Sequence, residues 1–238
     1  MSLDETPGFA AAAMAAFSLP GPRPPNSPSK APPPTLAQTS IAGMDAVLDP
    51  SGALYWESQG TLIVSDLHLE TGSSYARTGQ MLPPYDTART LQRLSAAVAR
   101  HRPQRIVSLG DSFHDRGGAE RLNEADRAVI ASLADAAELI WVTGNHDGDS
   151  AATLGGWACE ALQVGGVVFR HIPADEIPKG REVAGHLHPA AYVSIKGRTI
   201  RRRCFIGTDK RMIMPAFGCL TGGLSITDSA FAGLWPSA

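Results

Sequence analysis

The sequence predicts an α/β fold in which a largely parallel sheet packs against a second sheet, and two observations lead to this class. Three continuous apolar stretches of strand length alternate with two stretches of helical period, an order typical of parallel strands joined by crossover helices. From Val164 onward the chain consists of short β-rich pieces separated by glycine. These pieces indicate a second sheet, mostly antiparallel, packed on the first.

The predicted first sheet contains the segments TLIVSD, RIVSLGD and ELIWVTGNHD, which begin at residues 61, 105 and 138. Such apolar runs are typical of strands buried on both faces. Two shorter strands around a Pro-Ser-Gly turn precede them at 45–56. The helical stretches are 86–101 and 119–136, where leucine, valine and isoleucine recur at helical spacing.

The chain divides into a leader and one domain. Residues 1–42 begin alanine-rich and continue into the proline-dense segment PGPRPPNSPSKAPPPTL, which has almost no bulky apolar side chains. We expect this leader to be disordered, and residues 43–238 to form a single domain. The apolar fraction of the whole chain, 43%, is sufficient for a sizeable core.

Charge and cysteine content exclude several classes of protein. The 238-residue chain has a formal net charge of −2, so its overall field favours neither nucleic acid nor a membrane. Its three cysteines form no CxxC pair, which argues against a disulfide framework or a structural zinc site. No stretch approaches the about 20 apolar residues of a membrane span. We therefore expect a cytoplasmic protein that does not act on a membrane.

Each of the three buried strands is followed by side chains that can bind a metal ion. Asp66 and His68 follow the first strand, Asp111 follows the second, and Asn145 with His146 follows the third. Because ligands of open α/β sheets bind outside the carboxyl ends of the strands, we expect these side chains to converge.

The second half of the chain adds three histidines. His171 ends the segment VVFRH, and His186 and His188 stand one residue apart in GHLHP. On an extended strand this spacing would turn both side chains towards one cleft. Carboxylates mixed with imidazoles suit Mn, Fe or Zn better than Ca or Mg. The sequence thus predicts a two-metal site with ions about 3.5–4 Å apart, which would activate a bridging water for phosphoryl chemistry.

The order D-x-H, G-D, G-N-H-D, H and G-H-x-H across residues 66–188 resembles the calcineurin-like metallophosphoesterase superfamily. The resemblance implies a four-layer αββα sandwich of two packed mixed β-sheets flanked by helices. It also implies a phosphoesterase with two divalent metal ions, for which Mn is our first choice and Fe or Zn the alternatives. Transferred by position, it assigns one ion to Asp66, His68, Asp111 and His188. It assigns the other to Asp111 as the bridge with Asn145, His171 and His186.

The remaining motif residue, His146, is the candidate general acid. It would touch the substrate phosphate and protonate the leaving oxygen while a metal-bridging hydroxide attacks phosphorus; the alternative is a residue that only caps its loop. Many relatives carry an aspartate three residues after the G-D pair to orient this histidine, but here that position is His114. Asp115, Asp147 or neither of them would then support His146. Arg116 is either a phosphate contact or an ordinary surface arginine.

Longer stretches resemble one bacterial branch of this superfamily. SDLHLETGSSYARTGQMLPPYDT, LGDSFHD, GHLHP and MPAFGCLTGG look like the DNA-ligase-associated metallophosphoesterases, a branch of DNA-damage-response endonucleases or phosphodiesterases. The resemblance covers most of residues 43–234. It implies a phosphodiester substrate in DNA, and a ligase or helicase as a partner.

A basic segment, RTIRRRCFIGTDKR at residues 198–211, favours a polyanionic substrate because it carries six basic side chains and one acidic one. Such a cluster can follow phosphates even when the net charge is near zero. Arg201 and Arg203 share one face of the predicted strand and are the candidate substrate contacts. A solvated strand edge, where basic side chains discourage edge pairing, is the alternative.

The sequence is therefore compatible with three functions. The first is a dinuclear-metal-dependent phosphodiesterase that acts as a nuclease on DNA in ligase-associated repair. The second is a hydrolase of a small phosphomonoester, a cyclic nucleotide or a lipid pyrophosphate. The third is a non-enzymatic scaffold with the same fold. A scaffold is expected to have lost metal ligands or the acid histidine, and this sequence retains all of them.

Overall fold

The computed structural model describes residues 36–145, 151–176 and 180–235. Seven strands form the first sheet, and their order in space follows the chain. They are β1 (Ala37–Ile41), β2 (Met44–Leu48), β3 (Leu54–Trp56), β4 (Thr61–Ser65), β5 (Arg105–Leu109), β6 (Glu138–Val142) and β7 (Trp157–Cys159). Pairing is antiparallel from β1 to β4 and parallel from β4 to β7. The three strands predicted to be buried and parallel are β4, β5 and β6.

Four α-helices lie in the connections between these parallel strands. They are α1 (Thr71–Arg77), α2 (Asp86–His101), α3 (Gly118–Arg121) and α4 (Glu124–Ala136). The single helix expected over 119–136 is interrupted, because Asn123 caps α4 by accepting a hydrogen bond from the Asp126 backbone N–H at 2.8 Å. Among the described residues, no helix is both long enough and apolar enough to cross a membrane.

The second half of the chain forms a five-stranded sheet and a separate hairpin. The strands are β8 (Ala161–Val164), β9 (Val167–Arg170), β10 (Arg181–Ala184), the hairpin β11 (Ala190–Ile195) and β12 (Arg198–Arg203), then β13 (Ile206–Gly207) and β14 (Arg211–Ile213). The sheet order is β13-β14-β10-β9-β8. The expectation of a mostly antiparallel sheet is wrong, since β10 is parallel to both β9 and β14. The connections on either side of β10 are long enough to return the chain to the same end of the sheet.

The two sheets pack face to face and enclose one of the apolar cores. Ile63 and Val107 from the first sheet share this core with Phe169 from the second, all of them buried. The other face of the first sheet packs against α2 and α4. The outer face of the second sheet is covered by the C-terminal segment, where Phe231 of a short 3-10 helix packs on Ala184. The predicted fold class, two packed mixed sheets with helices, is confirmed.

The ordered fold begins before residue 43. Strand β1 lies within the 1–42 stretch that the sequence analysis set aside as a leader, and it pairs antiparallel with β2, with Ala37 opposite Leu48 and Ile41 opposite Met44. The folded domain therefore begins at Ala37 or earlier. The rest of the proposed leader, residues 1–35, lies outside the described residues.

A buried ion pair joins neighbouring strands of the second sheet. Arg211 Nε on β14 donates to Glu182 Oε2 on β10 at 2.6 Å, and each side chain is 1% exposed. Arg211 also donates to the carbonyl of Leu234, and the other Glu182 oxygen accepts from the Ala174 backbone N–H at 3.1 Å. Arg211, counted among the basic side chains of residues 198–211, is thus part of the core and is not available to a substrate.

Candidate metal centre

The loops that follow β4 and β5 run side by side beyond the sheet. The backbone N–H of Asp66 donates to the Gly110 carbonyl at 3.2 Å, and that of His68 donates to the Asp111 carbonyl at 2.9 Å. These hydrogen bonds continue the parallel ladder past the last residues of both strands. They fix the Asp66, His68 and Asp111 side chains relative to one another.

The first group of ligand atoms belongs to Asp66, His68 and His188, and all three atoms lie within 4.8 Å of one another. Asp66 Oδ1 is 3.0 Å from His188 Nε2. The Asp66 side chain is completely buried, whereas the two imidazoles are 12% and 17% exposed. The group therefore has a closed side at the sheet and an open side towards solvent.

The second group consists of Asp111, His171 and His186, whose ligand atoms also lie within 4.8 Å of one another. His171 Nε2 is 3.3 Å from Asp111 Oδ2, 3.2 Å from His186 Nδ1 and 2.9 Å from Asn145 Oδ1. Nitrogen and oxygen atoms with lone pairs thus converge from four side chains that are far apart in the sequence. Such convergence is the arrangement of a cation site.

Asp111 lies between the two groups. Its Oδ2 is 3.3 Å from His171 Nε2 in one group and 3.9 Å from His68 Nε2 in the other. The Asp66 carboxylate also reaches the second group, since its Oδ2 accepts from the His186 backbone N–H at 3.0 Å. A single carboxylate between two sets of ligands is the arrangement that a bridged pair of ions requires.

The chemistry of these side chains fits divalent ions with mixed nitrogen and oxygen ligands. Burial lowers the pKa of His68 to about 4, so its imidazole is neutral at neutral pH, as a metal ligand must be. Burial and the neighbouring His171 also lower the pKa of His186. Burial lowers the pKa of His171 too, but a hydrogen bond to Asp111 and the charges of Asp66 and Asp111 outweigh it and raise the pKa overall.

Glycines in the sequence motifs make room for the ligand side chains. A Cβ atom at Gly144 would lie 2.2 Å from the Asp111 backbone nitrogen, and one at Gly185 would lie 2.6 Å from Asp66 Oδ2. Gly110, which precedes Asp111, has a φ of 67°, and a Cβ atom there would lie 2.4 Å from the His171 ring. The G-D, G-N and G-H pairs of the sequence therefore have a steric cause.

Most of the ligand side chains extend from backbone in the left-handed region. The φ angles are 52° at Asp66, 43° at His68, 44° at Asp111, 69° at His186 and 47° at His188. These values correct the expectation that His186 and His188 share an extended strand, since both lie in the loop after β10. The sharp changes of chain direction place one histidine in each group.

The other predicted site residues do not belong to these two groups or lie outside the described residues. His146 and Asp147 lie outside the described residues. Arg116 is exposed. The Asp115 carboxylate accepts two hydrogen bonds from Arg121, at 2.8 and 2.9 Å, and these lower its pKa to about 2. Asp115 therefore binds Arg121 of α3.

Arg201 and Arg203 have a structural role that the sequence analysis did not foresee. Arg203 is half-buried and donates to the carbonyls of Ala216 at 3.0 Å and Thr221 at 2.9 Å. Arg201 donates to the Gly223 carbonyl. Both guanidinium groups hold the loop at residues 216–223. Their assignment as substrate contacts stays a prediction.

A pocket of about 480 Å³ opens beside the first group. Its lining includes His68 and His188, and also Tyr75 and His114, whose rings are 5.4 Å apart. Leu82 adds an apolar surface. The sequence held a signal for His114, which follows Asp111 by three residues. Tyr75 is brought to the pocket by α1, which was not predicted.

The fold and this site together define a class, the metal-dependent phosphoesterases. The family model of the calcineurin-like phosphoesterases matches residues 61–212, and the chain belongs to this family. The resemblance seen in the sequence is thereby confirmed.

Two solved structures give a measure of similarity. The chain resembles the Pseudomonas putida nuclease MPE, with a TM-score of 0.66 and 28% sequence identity over 82% of this chain and 93% of that one. It also matches Yfce, a phosphoesterase from E. coli, with a TM-score of 0.40 and 14% identity over 69% and 83% of the two chains. A comparison with curated proteins found no match.

Proposed function

We propose that this protein is a dinuclear-metal-dependent phosphodiesterase that cleaves DNA as a nuclease in ligase-associated repair. The observation that carries the proposal is Asp111, one carboxylate between two groups of metal-binding side chains. The similarity to a nuclease over most of both chains supports a nucleic acid as the substrate, and the sequence resemblance to the ligase-associated branch favours DNA. A DNA ligase or helicase is the proposed partner, and the cytoplasm is the proposed location.

The proposed ligands follow the two groups. Asp66, His68, Asp111 and His188 would hold one ion, and Asp111, Asn145, His171 and His186 the other. Two bound divalent ions supply Lewis acidity and a nucleophilic water at neutral pH. Mn²⁺ is our first choice because the groups combine carboxylate, amide and imidazole ligands, and Fe and Zn are the alternatives. As a neutral ligand, Asn145 limits the negative charge that faces the phosphate.

The chain's own residues have separate roles in the proposed reaction. The closed, buried side formed by Asp66 and Asp111 directs the substrate phosphate to the open side of the site. There, Tyr75 and His114 offer rings against which a base next to the cleaved bond can stack. The pocket also has the size of a single small ligand, which is the observation in favour of the second candidate, a hydrolase of small phosphoesters.

A substrate panel tests the proposal. With Mn²⁺ added, we expect the protein to hydrolyse bis-p-nitrophenyl phosphate and single-stranded DNA, and to act more slowly on p-nitrophenyl phosphate and cyclic nucleotides. Double-stranded DNA is included to define the form that is cut, and protein treated with EDTA is the control. Rapid hydrolysis of monoesters without any cleavage of DNA would contradict the proposal and support the small-molecule hydrolase.

The proposed general acid, His146, has its own test. We expect His146→Ala to reduce turnover of DNA by roughly 10²–10⁴-fold, because the leaving oxygen then departs without a proton. The loss should be smaller for bis-p-nitrophenyl phosphate, since nitrophenolate needs little protonation. Metal content, measured by elemental analysis, should stay at the wild-type value. Parallel loss of metal and activity would make His146 a ligand.

A further inference from the structure

A second concave surface, which we call the arginine groove, lies apart from the metal pocket. It has a volume of about 930 Å³ and is formed by α2, β12 and the turn between β2 and β3. Five arginines line it: Arg89, Arg93, Arg201, Arg202 and Arg203. Arg89 and Arg93 are four residues apart on α2 and so share one helix face.

Among the residues that the structure describes, no carboxylate neutralises the positive charge of the arginine groove. Within the described parts of the chain, none of the five arginines forms an ion pair. Asp49, the single carboxylate among the described lining residues, is 1% exposed and already bonded to Arg100 and His101. Burial raises the pKa of Asp49, but hydrogen bonds from Ser51 and His101 outweigh it and lower the pKa to about 2.

Three of these arginines are held in place close to one another. The Arg93 guanidinium lies 4.4 Å from the centre of the Phe217 ring. Arg203 and Arg201 are fixed by their hydrogen bonds to the 216–223 loop. Burial and the positive charges of Arg93 and Arg201 lower the pKa of Arg203. The positive charges of these three arginines repel one another, and an anion bound among them would reduce that repulsion.

We propose that the arginine groove binds backbone phosphates of the DNA strand whose cleaved bond lies at the metal centre. The inference rests on the proposed function and extends it to a site for the flanking nucleotides. Guanidinium groups bind phosphate oxygens in pairs of parallel hydrogen bonds. Five arginines exceed what one singly charged phosphodiester can neutralise, so the groove suits several consecutive phosphates.

One loop contributes neighbouring residues to both the arginine groove and the metal pocket. Cys219 lines the groove, and Leu220 and Thr221 of the same loop line the metal pocket. Two residues of extended chain span at most about 7 Å. Phosphates in a B-form strand follow one another at about 3.4 Å along the helix axis. A strand bound at the metal centre would therefore reach the groove within a few nucleotides.

The test is a charge reversal at Arg89 and Arg202, two exposed arginines of the groove with no bond to a carboxylate or to the 216–223 loop. For Arg89→Glu with Arg202→Glu, we expect binding of a single-stranded 20-mer in EDTA to weaken more than tenfold. The slope of log K against log salt should fall by about 1.4, at about 0.7 for each lost phosphate contact. With Mn²⁺, hydrolysis of bis-p-nitrophenyl phosphate should be unchanged.

The matched control reverses Arg198 and Lys210, which are exposed members of the same basic segment outside the groove. Equal weakening by this control pair would overturn the inference, because it would reflect net charge alone. If the groove variant loses bis-p-nitrophenyl phosphate hydrolysis, the milder double variant Arg89→Gln with Arg202→Gln is tested in its place. Unchanged DNA binding by this milder variant would overturn the inference.

Failure of the inference and failure of the proposed function give different results. Normal DNA binding and cleavage by the groove variant would overturn the groove and leave the nuclease intact. Wild-type protein that binds DNA through the groove but never cleaves it would support the groove and contradict the nuclease. Tripolyphosphate binding that depends on Arg89 and Arg202, without any effect on DNA, would overturn the inference in favour of a free polyphosphate.

Discussion

Asp111→Asn is expected to abolish most activity and to lower the metal content. Asp111 is buried, and the same oxygen, Oδ2, faces both groups of ligands. An asparagine keeps the shape but removes the negative charge that both ions would share. Loss of residues that merely support a ligand costs about 10–100-fold in metal affinity. Loss of the bridging ligand itself should exceed that range, and elemental analysis after Mn²⁺ loading measures it.

The matched control for this variant is Asp135→Asn. Asp135 is an exposed carboxylate on α4, so its loss should leave metal content and turnover unchanged. Wild-type protein should approach two ions per chain, as a bridged pair requires. An Asp111→Asn protein with wild-type turnover and wild-type metal content would disprove the dinuclear site.

Glu182→Gln should destabilise the protein by about 3–5 kcal/mol, because it leaves the buried Arg211 guanidinium without its counter-charge. Small domains have a total free energy of unfolding of only about 5–15 kcal/mol, so this is a large fraction. The Glu182 carboxylate also accepts from the Ala174 backbone N–H, and Arg211 also donates to the Leu234 carbonyl. Urea denaturation, followed by circular dichroism, measures the change.

Glu138→Gln provides the comparison for this stability measurement. Glu138 accepts a 2.8 Å hydrogen bond from Arg105, but its side chain is 44% exposed. Exposed ion pairs of this kind contribute about 0–1 kcal/mol. If both variants lose the same small amount of stability, the Glu182–Arg211 pair does not hold the second sheet together.

The features predicted correctly from the sequence are those with a strong local pattern. Strands β4, β5 and β6 are continuous apolar runs, and α2 has the predicted bounds, 86–101. The candidate ligands Asp66, His68, Asp111 and Asn145 follow the ends of such strands, so the topology of the first sheet brings them together. These elements could be predicted because a strand buried on both faces is a continuous apolar run, and a helix buried on one face has apolar residues at helical spacing.

The features that were missed depend on contacts distant in sequence. Strand β1 is largely exposed and gains its order from pairing with β2, which a proline-rich context obscured. Alternation along β12 correctly put Arg201 and Arg203 on one face. What that face meets, however, is the loop at 216–223, and no pattern within the strand reveals it. Whether a basic side chain serves a ligand or the backbone is decided by such distant neighbours.

Stability and metal binding favour different residue types at the five proposed ligands that have left-handed backbone. These are Asp66, His68, Asp111, His186 and His188. Each such conformation costs about 1–3 kcal/mol in a residue with a side chain, and glycine would remove that cost. Selection for a more stable chain would therefore favour glycine at these five positions, and every such change would delete a proposed ligand. The centre of this enzyme is thus a region where thermostabilising evolution and retained activity are expected to oppose each other.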